Sequence, residues 1–340
     1  MIYHVIGLPS IRTTSRSTCP FATLTANFIK MMKSLGHTVY HYGVGCDVEC
    51  DEDIIVMDAV EMDWSGASPF WKIYNERIIH SINLRKSPRD FVCVINGHLN
   101  QMLEQIAGVQ VVEYAIGYNG TFAKYRVFAS NAHMHKVWGA EGGLDPDGKW
   151  YDTVIPHYLD VNEYPVGPCK RDYFLYIGRQ DTRKGFQIAI DTCKLLGVKL
   201  KIAGGTKVYQ DGLIEYVGTV VGEQRLNLYQ NAIATFCPTI YIEPFNMTAI
   251  ESQMLGTPVI TSHFGAFTEN VRHGIDGFNC RTLNQFVHAT KSAEFLDNQS
   301  IRLHAINTWG IDTIRHQYQE YFESLTDLWD GGWSTLHEST

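Results

Sequence analysis

Two carboxylates and a basic turn are the residues of this sequence whose types and spacing could do chemistry. Glu243 and Glu251 stand eight positions apart in "EPFNMTAIESQMLGTPVI". Pro244 biases the residue before it towards extended backbone, so Glu243 belongs to a loop and Glu251 to the helix that follows. Acidic residues also favour the first turns of helices because the helix dipole is positive there. The neighbouring residues must therefore decide whether the pair forms a site.

The segment between the two carboxylates predicts an anion site. At a helix start the backbone N–H groups have no intrahelical partner and can bind phosphate. The residues at this expected start are Phe245, Asn246, Met247 and Thr248. A ligand with its phosphates on these amides could reach Glu251 with a ribose and Glu243 with a sugar. Nucleotide sugars have that shape.

A basic turn earlier in the chain supplies the counter-charge that a diphosphate needs. In "YIGRQDTRKGF", Arg179 follows an apolar strand and a glycine, and Arg183 and Lys184 precede the next helix. Arginine binds phosphate in a bidentate manner and lysine binds it as a point charge. An exposed basic turn without a ligand is the alternative, so the combination with the acidic segment carries the hypothesis.

Apolar runs alternate with segments of helical periodicity through both halves of the chain. In the first half, "IYHVIGLP", "HTVYHYG", "FVCVING" and "VQVVEYAIG" read as strands, and "ATLTANFIKMMKSLG" reads as a helix that ends at Gly36. The second half repeats this alternation from "YFLYIGR" to "ATFCPT". Continuous apolar runs are typical of buried parallel strands, so the sequence predicts two doubly wound α/β domains in series.

Composition and charge limit the class of protein. The chain has 340 residues, of which 45% are hydrophobic and 19% charged, as in ordinary globular proteins. A net charge of -8 disfavours general capture of nucleic acid or anionic membrane, although it allows a local basic groove. Without a long apolar run or a secretion signal, we expect a cytoplasmic protein with no integral membrane association. The eight cysteines lack zinc spacing and are interpreted as buried free thiols.

Several segments, taken in their order along the chain, resemble the C-terminal half of retaining glycosyltransferases with the GT-B fold, specifically the large family 4. They are "VIPHYLDVNEY", "YFLYIGRQDTRKGFQIAIDTCKLLGVKLKIAGG" and "YVGTVVGEQRLNLYQNAIATFCPTIYIEPFNMTAIESQMLGTPVITSHFGAFTENVRHGIDGF". "FIKMMKSLGHTVYHYG" resembles the first helix and second strand of that family. "MIYHVIGLP" and "GYNGTFAKYRVFAS" are similar to virus-encoded members. The likeness therefore touches both halves of the chain.

The resemblance implies an α/β architecture in which two Rossmann-like doubly wound domains face each other across a cleft. Residues 1–160 would form the N-terminal acceptor domain, and residues 161–307 the C-terminal nucleotide-sugar donor domain. A C-terminal helix at about 308–330 would pack back on the first domain.

The resemblance also implies roles for the residues singled out above. Arg179 and Lys184 would bind the donor diphosphate, Glu251 the ribose and Glu243 the donor sugar. The backbone of residues 245–248 would line the phosphates and sugar, and Gly218 would lie near the base. Asn246 stands where the family usually has glycine, and "GLPSIRTTSRST" replaces the usual Gly-rich first loop. Arg16, in that loop, is a candidate to reach the phosphates.

The implied reaction is hexosyl transfer from a nucleotide-diphosphate sugar to an acceptor hydroxyl, with retention at the anomeric carbon. A UDP-sugar is the favoured donor and a GDP-sugar the alternative, and neither a metal nor a cofactor is required. Lys184, Arg179 and the helix amides would stabilise the charge that grows on the leaving group. The acceptor proton would pass to the departing phosphate, and Glu243 would hold the sugar without attacking it.

Three residues of the first half are candidates for acceptor binding. His98 follows the strand in "VCVINGHLNQ", and Tyr118 follows the next strand. Glu113 interrupts that second strand, where an unpaired charge would be costly. A structural hydrogen-bonding role is the alternative for His98.

The acceptor itself stays open among a glycan, a small molecule and a hydroxymethylated base in DNA. A local basic patch would serve the DNA alternative. It comprises Arg12, Arg16, Lys30, Lys33, Arg85, Lys86 and Arg89. A sugar-nucleotide epimerase of the same fold is the alternative enzyme, and a non-catalytic sugar-nucleotide binding module is a third reading.

Overall fold

A computed structural model describes most of the chain: residues 1–15, 17–61, 63, 65–66, 68–142, 148–206, 208 and 210–330. The chain divides into two compact units. The first unit comprises Met1–Ala129, Val137–Tyr158 and the chain from Ile311 onwards, and the second comprises Ser130–Lys136 and Leu159–Gly310. In the described part of the chain, no helix combines the length and apolar character needed to cross a membrane.

Strands and helices alternate along most of the described chain. The strands are β1 Ile2–Ile6, β2 Thr38–Gly43, β3 Glu52–Ile55, β4 Asp90–Val94, β5 Val109–Ile116, β6 Tyr125–Phe128, β7 Thr153–Val154, β8 Tyr173–Ile177, β9 Leu200–Ala203, β10 Ile214–Gly218, β11 Ala232–Cys237, β12 Val259–Ser262 and β13 Gly277–Cys280. The α-helices are α1 Pro20–Ser34, α2 Phe70–Asn83, α3 Asn131–Glu141, α4 Phe186–Leu196, α5 Gly222–Gln230, α6 Met247–Met254, α7 Phe267–Asn270, α8 Leu283–Ser292, α9 Asn298–Trp309 and α10 Ile311–Asp327. The 3-10 helices are Gly97–Gln105, Val161–Glu163, Thr182–Lys184, Ala293–Phe295 and Leu328–Asp330.

The first unit is built on a parallel sheet of order β3-β2-β1-β4-β5-β6-β7. Helix α1 begins with Pro20 at its first position and ends before Gly36, whose φ of 78° is the left-handed conformation of a helix stop. Helix α10 belongs to the same core. The ring of Phe322 lies 4.8 Å from that of Tyr3, which stacks on Phe91 at 5.6 Å. The core therefore joins aromatic residues from both ends of the described chain.

The second unit is a parallel sheet of order β10-β9-β8-β11-β12-β13. The turn after β8 packs closely on the end of β11. A side chain at Gly185 would place its Cβ 2.0 Å from the carbonyl oxygen of Pro238, and the φ of Gly185 is 69°. Only glycine fits this close approach. The prediction of two doubly wound α/β domains is confirmed by the two sheets.

Candidate active site

The centre of the candidate site is an ion pair between Lys184 and Glu243. Strands β8 and β11 are neighbours, so the loops that follow them start at the same edge of the sheet. Lys184 lies in the first loop and Glu243 in the second, and the lysine Nζ donates to the glutamate Oε2 at 2.6 Å. Their side chains are only 19% and 8% exposed. Asp181 fixes the lysine backbone by accepting its amide at 2.9 Å.

The charge of Lys184 is set by two opposing effects. Burial lowers the pKa of its ammonium, but the carboxylate of Glu243 raises the pKa by a larger amount. The pKa of Lys184 therefore lies above its ordinary value. The ring of Tyr241 lies 5.1 Å from Lys184 Nζ and 4.5 Å from the guanidinium carbon of Arg183. The lysine is therefore a fixed positive charge at neutral pH, held between a carboxylate and an aromatic ring.

Asn246 caps the start of α6, at the position where the resembled family usually has glycine. Its φ of 74° is left-handed, a conformation that asparagine tolerates better than most residues. The side-chain oxygen accepts the amide of Ala249 at 3.0 Å, and the side-chain nitrogen donates to Glu243 at 3.3 Å. The half-buried Met247 and Thr248 form the first helical turn, whose amides no intrahelical bond uses. Phe245 is 1% exposed, just before the turn.

We expect Asn246→Ala to lower the free energy of unfolding by about 1–3 kcal/mol, because it loses the cap and keeps the strained backbone. Asn246→Gly relieves the strain and should cost less than about 1 kcal/mol. Urea unfolding of the two variants measures the difference. Equal losses for alanine and glycine would show that the left-handed backbone is not the constraint.

Glu251 lies in a separate buried cluster within the same unit. Arg225 donates to its Oε1 at 2.9 Å and the Tyr229 hydroxyl to its Oε2 at 3.0 Å, and Tyr164 adds a longer bond of 3.4 Å. Burial lowers the pKa of Arg225, but Glu251 raises it, with a net rise. Sequence reasoning missed Arg225 and Tyr229. Their i, i+4 spacing on α5 puts both on one helix face and was the available signal.

Arg179 and Gly218 lie at the carboxyl ends of strands in the same sheet. The Arg179 side chain is 77% exposed, and its Nε lies 3.7 Å from Asp181. Gly218 ends β10 with a φ of 81°, and its carbonyl accepts the amide of Gly204 at 2.9 Å. Apart from Gly218 itself and its two chain neighbours, no atom of the described residues lies within 4 Å of a Cβ built at Gly218. Open space therefore adjoins the position predicted to lie near the base.

In the first unit, Glu113 is fully buried and supports the loop after β5. Its Oε2 accepts the amides of Phe122 and Ala123 at 2.7 and 2.8 Å, and Tyr118 donates to its Oε1 at 3.2 Å. Burial raises the pKa of the Glu113 carboxyl to about 7, against the lowering effect of these hydrogen bonds. Glu113 is inaccessible to solvent and holds the loop through these hydrogen bonds.

His98 is exposed and is held by the loop that Glu113 supports. Its amide donates to the carbonyl of Gly120 at 2.8 Å. A Cβ at Gly120 would lie 2.6 Å from His98 Nδ1, so glycine lets the loop lie against the imidazole. The structure thus connects the three predicted acceptor residues, and their roles in binding stay predictions.

Three of the seven residues predicted as a basic patch are paired with carboxylates. Arg12 donates to Asp47 at 2.8 Å and Lys33 to Asp51 at 2.7 Å. Arg85 binds Glu52 through two nitrogens. Arg16, the predicted phosphate-binding residue of the first loop, lies outside the described residues. The net positive charge available to a polyanion is therefore smaller than the sequence suggests.

Comparison with known proteins finds a similarity over most of the second unit. Residues 166–308 match the family model of glycosyl transferases group 1. The second unit resembles the group 1 glycosyl transferases. Within this group 1 region lie Lys184, Glu243 and Glu251. Glycogen synthase of Mycobacterium tuberculosis is 33% identical over a match that covers 38% of this chain and 36% of that enzyme. The curated relatives are matched over about a third of their length.

Solved structures extend the likeness to both units. AviGT4, a glycosyltransferase involved in avilamycin A biosynthesis, is 19% identical with a TM-score of 0.71, and the match covers 96% of this chain and 98% of AviGT4. HepE of Anabaena, solved in complex with UDP-glucose, is 14% identical with a TM-score of 0.65, and the match covers 95% and 100% of the two chains. At these identities the likeness shows the fold, so the GT-B fold class is confirmed. Family 4 and the virus-encoded branch stay predictions.

Proposed function

We propose that this chain is a retaining glycosyltransferase that moves a hexosyl group from a nucleotide-diphosphate sugar to an acceptor hydroxyl. The observation that carries the proposal is the buried Lys184–Glu243 ion pair beside the first amides of α6. The group 1 match and the GT-B fold support the same reaction class. A UDP-sugar is the favoured donor because HepE, of the same fold, was solved with UDP-glucose; a GDP-sugar is the alternative.

The positive groups of this site suit the charge that the reaction creates. When the bond between sugar and phosphate breaks, negative charge grows on the departing diphosphate. Lys184 and the first amides of α6 are held in place before any ligand binds, so they stabilise that charge without reorganising. Arg179 is exposed at the same edge and can close on the phosphates. The proposal requires no metal ion, since these groups supply the positive charge.

Glu243 is suited to holding the sugar. Its Oε2 accepts from both Lys184 and Asn246, which fixes the carboxylate at the start of α6, in position to accept from a sugar hydroxyl. The acceptor proton passes to the departing phosphate oxygen as the new glycosidic bond forms. Both the bond made and the bond broken are then on one face of the sugar, which gives retention.

The proposal is tested by measuring thermal stabilisation with UDP- and GDP-sugars, and then following the best donor with candidate acceptors. We expect a donor-dependent product whose anomeric proton, observed by NMR, keeps the donor configuration, and activity that persists with a chelator. An inverted product would reject retention. An epimerised nucleotide sugar formed without acceptor would assign the alternative, a sugar-nucleotide epimerase.

Substitution of the two carboxylates should affect different steps, turnover for Glu243 and donor binding for Glu251. Glu243→Gln should lower turnover by about 10- to 100-fold with donor affinity nearly kept, because it weakens hydrogen bonds to the reacting sugar. Glu251→Gln should instead weaken donor binding by about 10-fold, because its predicted partner is the ribose. Steady-state kinetics and calorimetry measure both, with the exposed Glu215→Gln as control. The reverse pattern would overturn these assignments.

A further inference from the structure

A groove in the first unit lies between the start of α2 and the 3-10 helix Gly97–Gln105. Its volume is 820 Å³, within the range of small-molecule sites. Trp71 and Leu99 contribute apolar surface, and the predicted acceptor residue His98 stands on one side. The loop before α2 comes close to the 3-10 helix at Gly66, where a Cβ would lie 3.1 Å from Leu99.

Three buried asparagines lock the two walls of this groove together. Asn96 donates to the side chain of Asn100 at 2.9 Å, and Asn100 donates to that of Asn75, on α2, at 2.7 Å. Asn75 in turn donates to the carbonyls of Trp71 and Leu99. These amides are at most 5% exposed. Burying polar groups is costly unless they are hydrogen-bonded, so this chain of bonds fixes the walls before a ligand arrives.

The groove presents groups that both donate and accept hydrogen bonds. Gln101 and Gln105 are exposed on the 3-10 helix, and Ser65 and Ser68 line the groove from the loop before α2. Amides and hydroxyls match the hydroxyl groups of a carbohydrate, which also donate and accept. The lining is therefore suited to a ligand with many hydroxyls.

Charge in the groove is balanced. Among the described lining residues, the charged side chains other than His98 are Lys72 and Glu104, one of each sign. Asp63 accepts the amides of Ser65 and Ser68 at 2.9 and 2.7 Å, so an anion would compete with a resident carboxylate for the loop amides. A phosphorylated ligand or a DNA backbone would require counter-charge that these residues do not supply.

We propose that this groove binds an uncharged carbohydrate, which is the acceptor of the transfer. Carbohydrate binding is inferred from the geometry and charge of the groove alone. That the bound carbohydrate is the acceptor rests on the proposed function. The proposal selects the glycan among the acceptors left open by the sequence.

The test is binding of the labelled full chain to an array that carries uncharged, sulfated and sialylated glycans, without nucleotide sugar. We expect binding to uncharged glycans and at least a 10-fold weaker signal for the double variant Gln101→Ala/Gln105→Ala. The control is Gln319→Ala on α10, which does not line the groove and should bind as the parent does. Circular dichroism of each variant checks that the fold is kept.

Binding to acidic glycans only, no binding to any glycan, or binding that the double variant retains would overturn the groove proposal. Sugar transfer to DNA carrying hydroxymethylated bases, unaffected by the double variant, would also overturn it. Binding of UDP-glucose is measured separately on the same preparation. A chain that binds uncharged glycans through the groove but turns over no nucleotide sugar would keep the groove and reject the glycosyltransferase.

Discussion

Lys184→Met is expected to lower the rate of sugar transfer by about 10²- to 10³-fold, the usual cost of removing one preorganised group that stabilises developing charge. The ammonium of Lys184 is held 2.6 Å from Glu243 and keeps its charge because that carboxylate outweighs the effect of burial. Methionine preserves the unbranched apolar stem and removes only the charge and its donors. Initial rates at saturating donor measure the loss.

A second variant separates catalysis from folding. Lys184→Met alone leaves Glu243 buried without its cation, which is destabilising. The double variant Lys184→Met/Glu243→Gln removes both charges, so we expect the melting temperature to recover while transfer stays well below that of Glu243→Gln alone. The surface variant Lys194→Met, which breaks an exposed pair with Asp211, should affect neither. Recovery of stability with transfer equal to that of Glu243→Gln alone would show that Lys184 is only structural.

Glu113→Gln is expected to stabilise the protein at alkaline pH by on the order of 2–3 kcal/mol. Burial raises the pKa of Glu113 from 4.5 to about 7 in the folded protein. The folded state therefore binds this proton more tightly than the unfolded chain does. The stability that the group contributes is full below pH 4.5 and is lost as pH rises through 7. Glutamine imitates the neutral acid, since its oxygen can accept the two loop amides and its nitrogen can donate to Tyr118.

The measurement is urea unfolding of the parent and the variant at several pH values. The difference between them should be small below pH 4.5, should grow as pH rises towards 7, and should level off above it. Glu320→Gln, at an exposed position of α10, is the matched control and should show no such trend. A variant that is less stable than the parent at every pH would mean that the ionised carboxylate is what the loop requires.

Sequence patterns predicted the elements well where local physics dominates. Continuous apolar runs located β8 and β11, and Pro244 with Gly256 bounded the helix that became α6. Because parallel strands end at one edge of a sheet, the loops after β8 and β11 were expected at the same edge. The structure shows in addition that these two strands are neighbours and that Lys184 pairs with Glu243.

What sequence patterns could not supply are contacts between distant side chains. Glu113 read as a costly charge in a strand, and nothing local showed that Phe122 and Ala123 would satisfy it. The partners of Glu251 come from α5 and from Tyr164, far apart in the chain. Tertiary packing determines such partners, and the periodicity of apolar residues along the sequence carries no information about it.

The aromatic core that α10 completes determines the order in which the two units can finish folding during synthesis on the ribosome. Residues enter the growing chain from the N-terminus, so Tyr3 and Phe91 emerge long before Phe322, on which they pack. The second unit, whose last residue is Gly310, has all of its strands earlier. The second unit can therefore complete its fold before the first unit does. A product that terminates before Ile311 would lack α10 and would leave an apolar face of the first unit exposed for chaperones to bind.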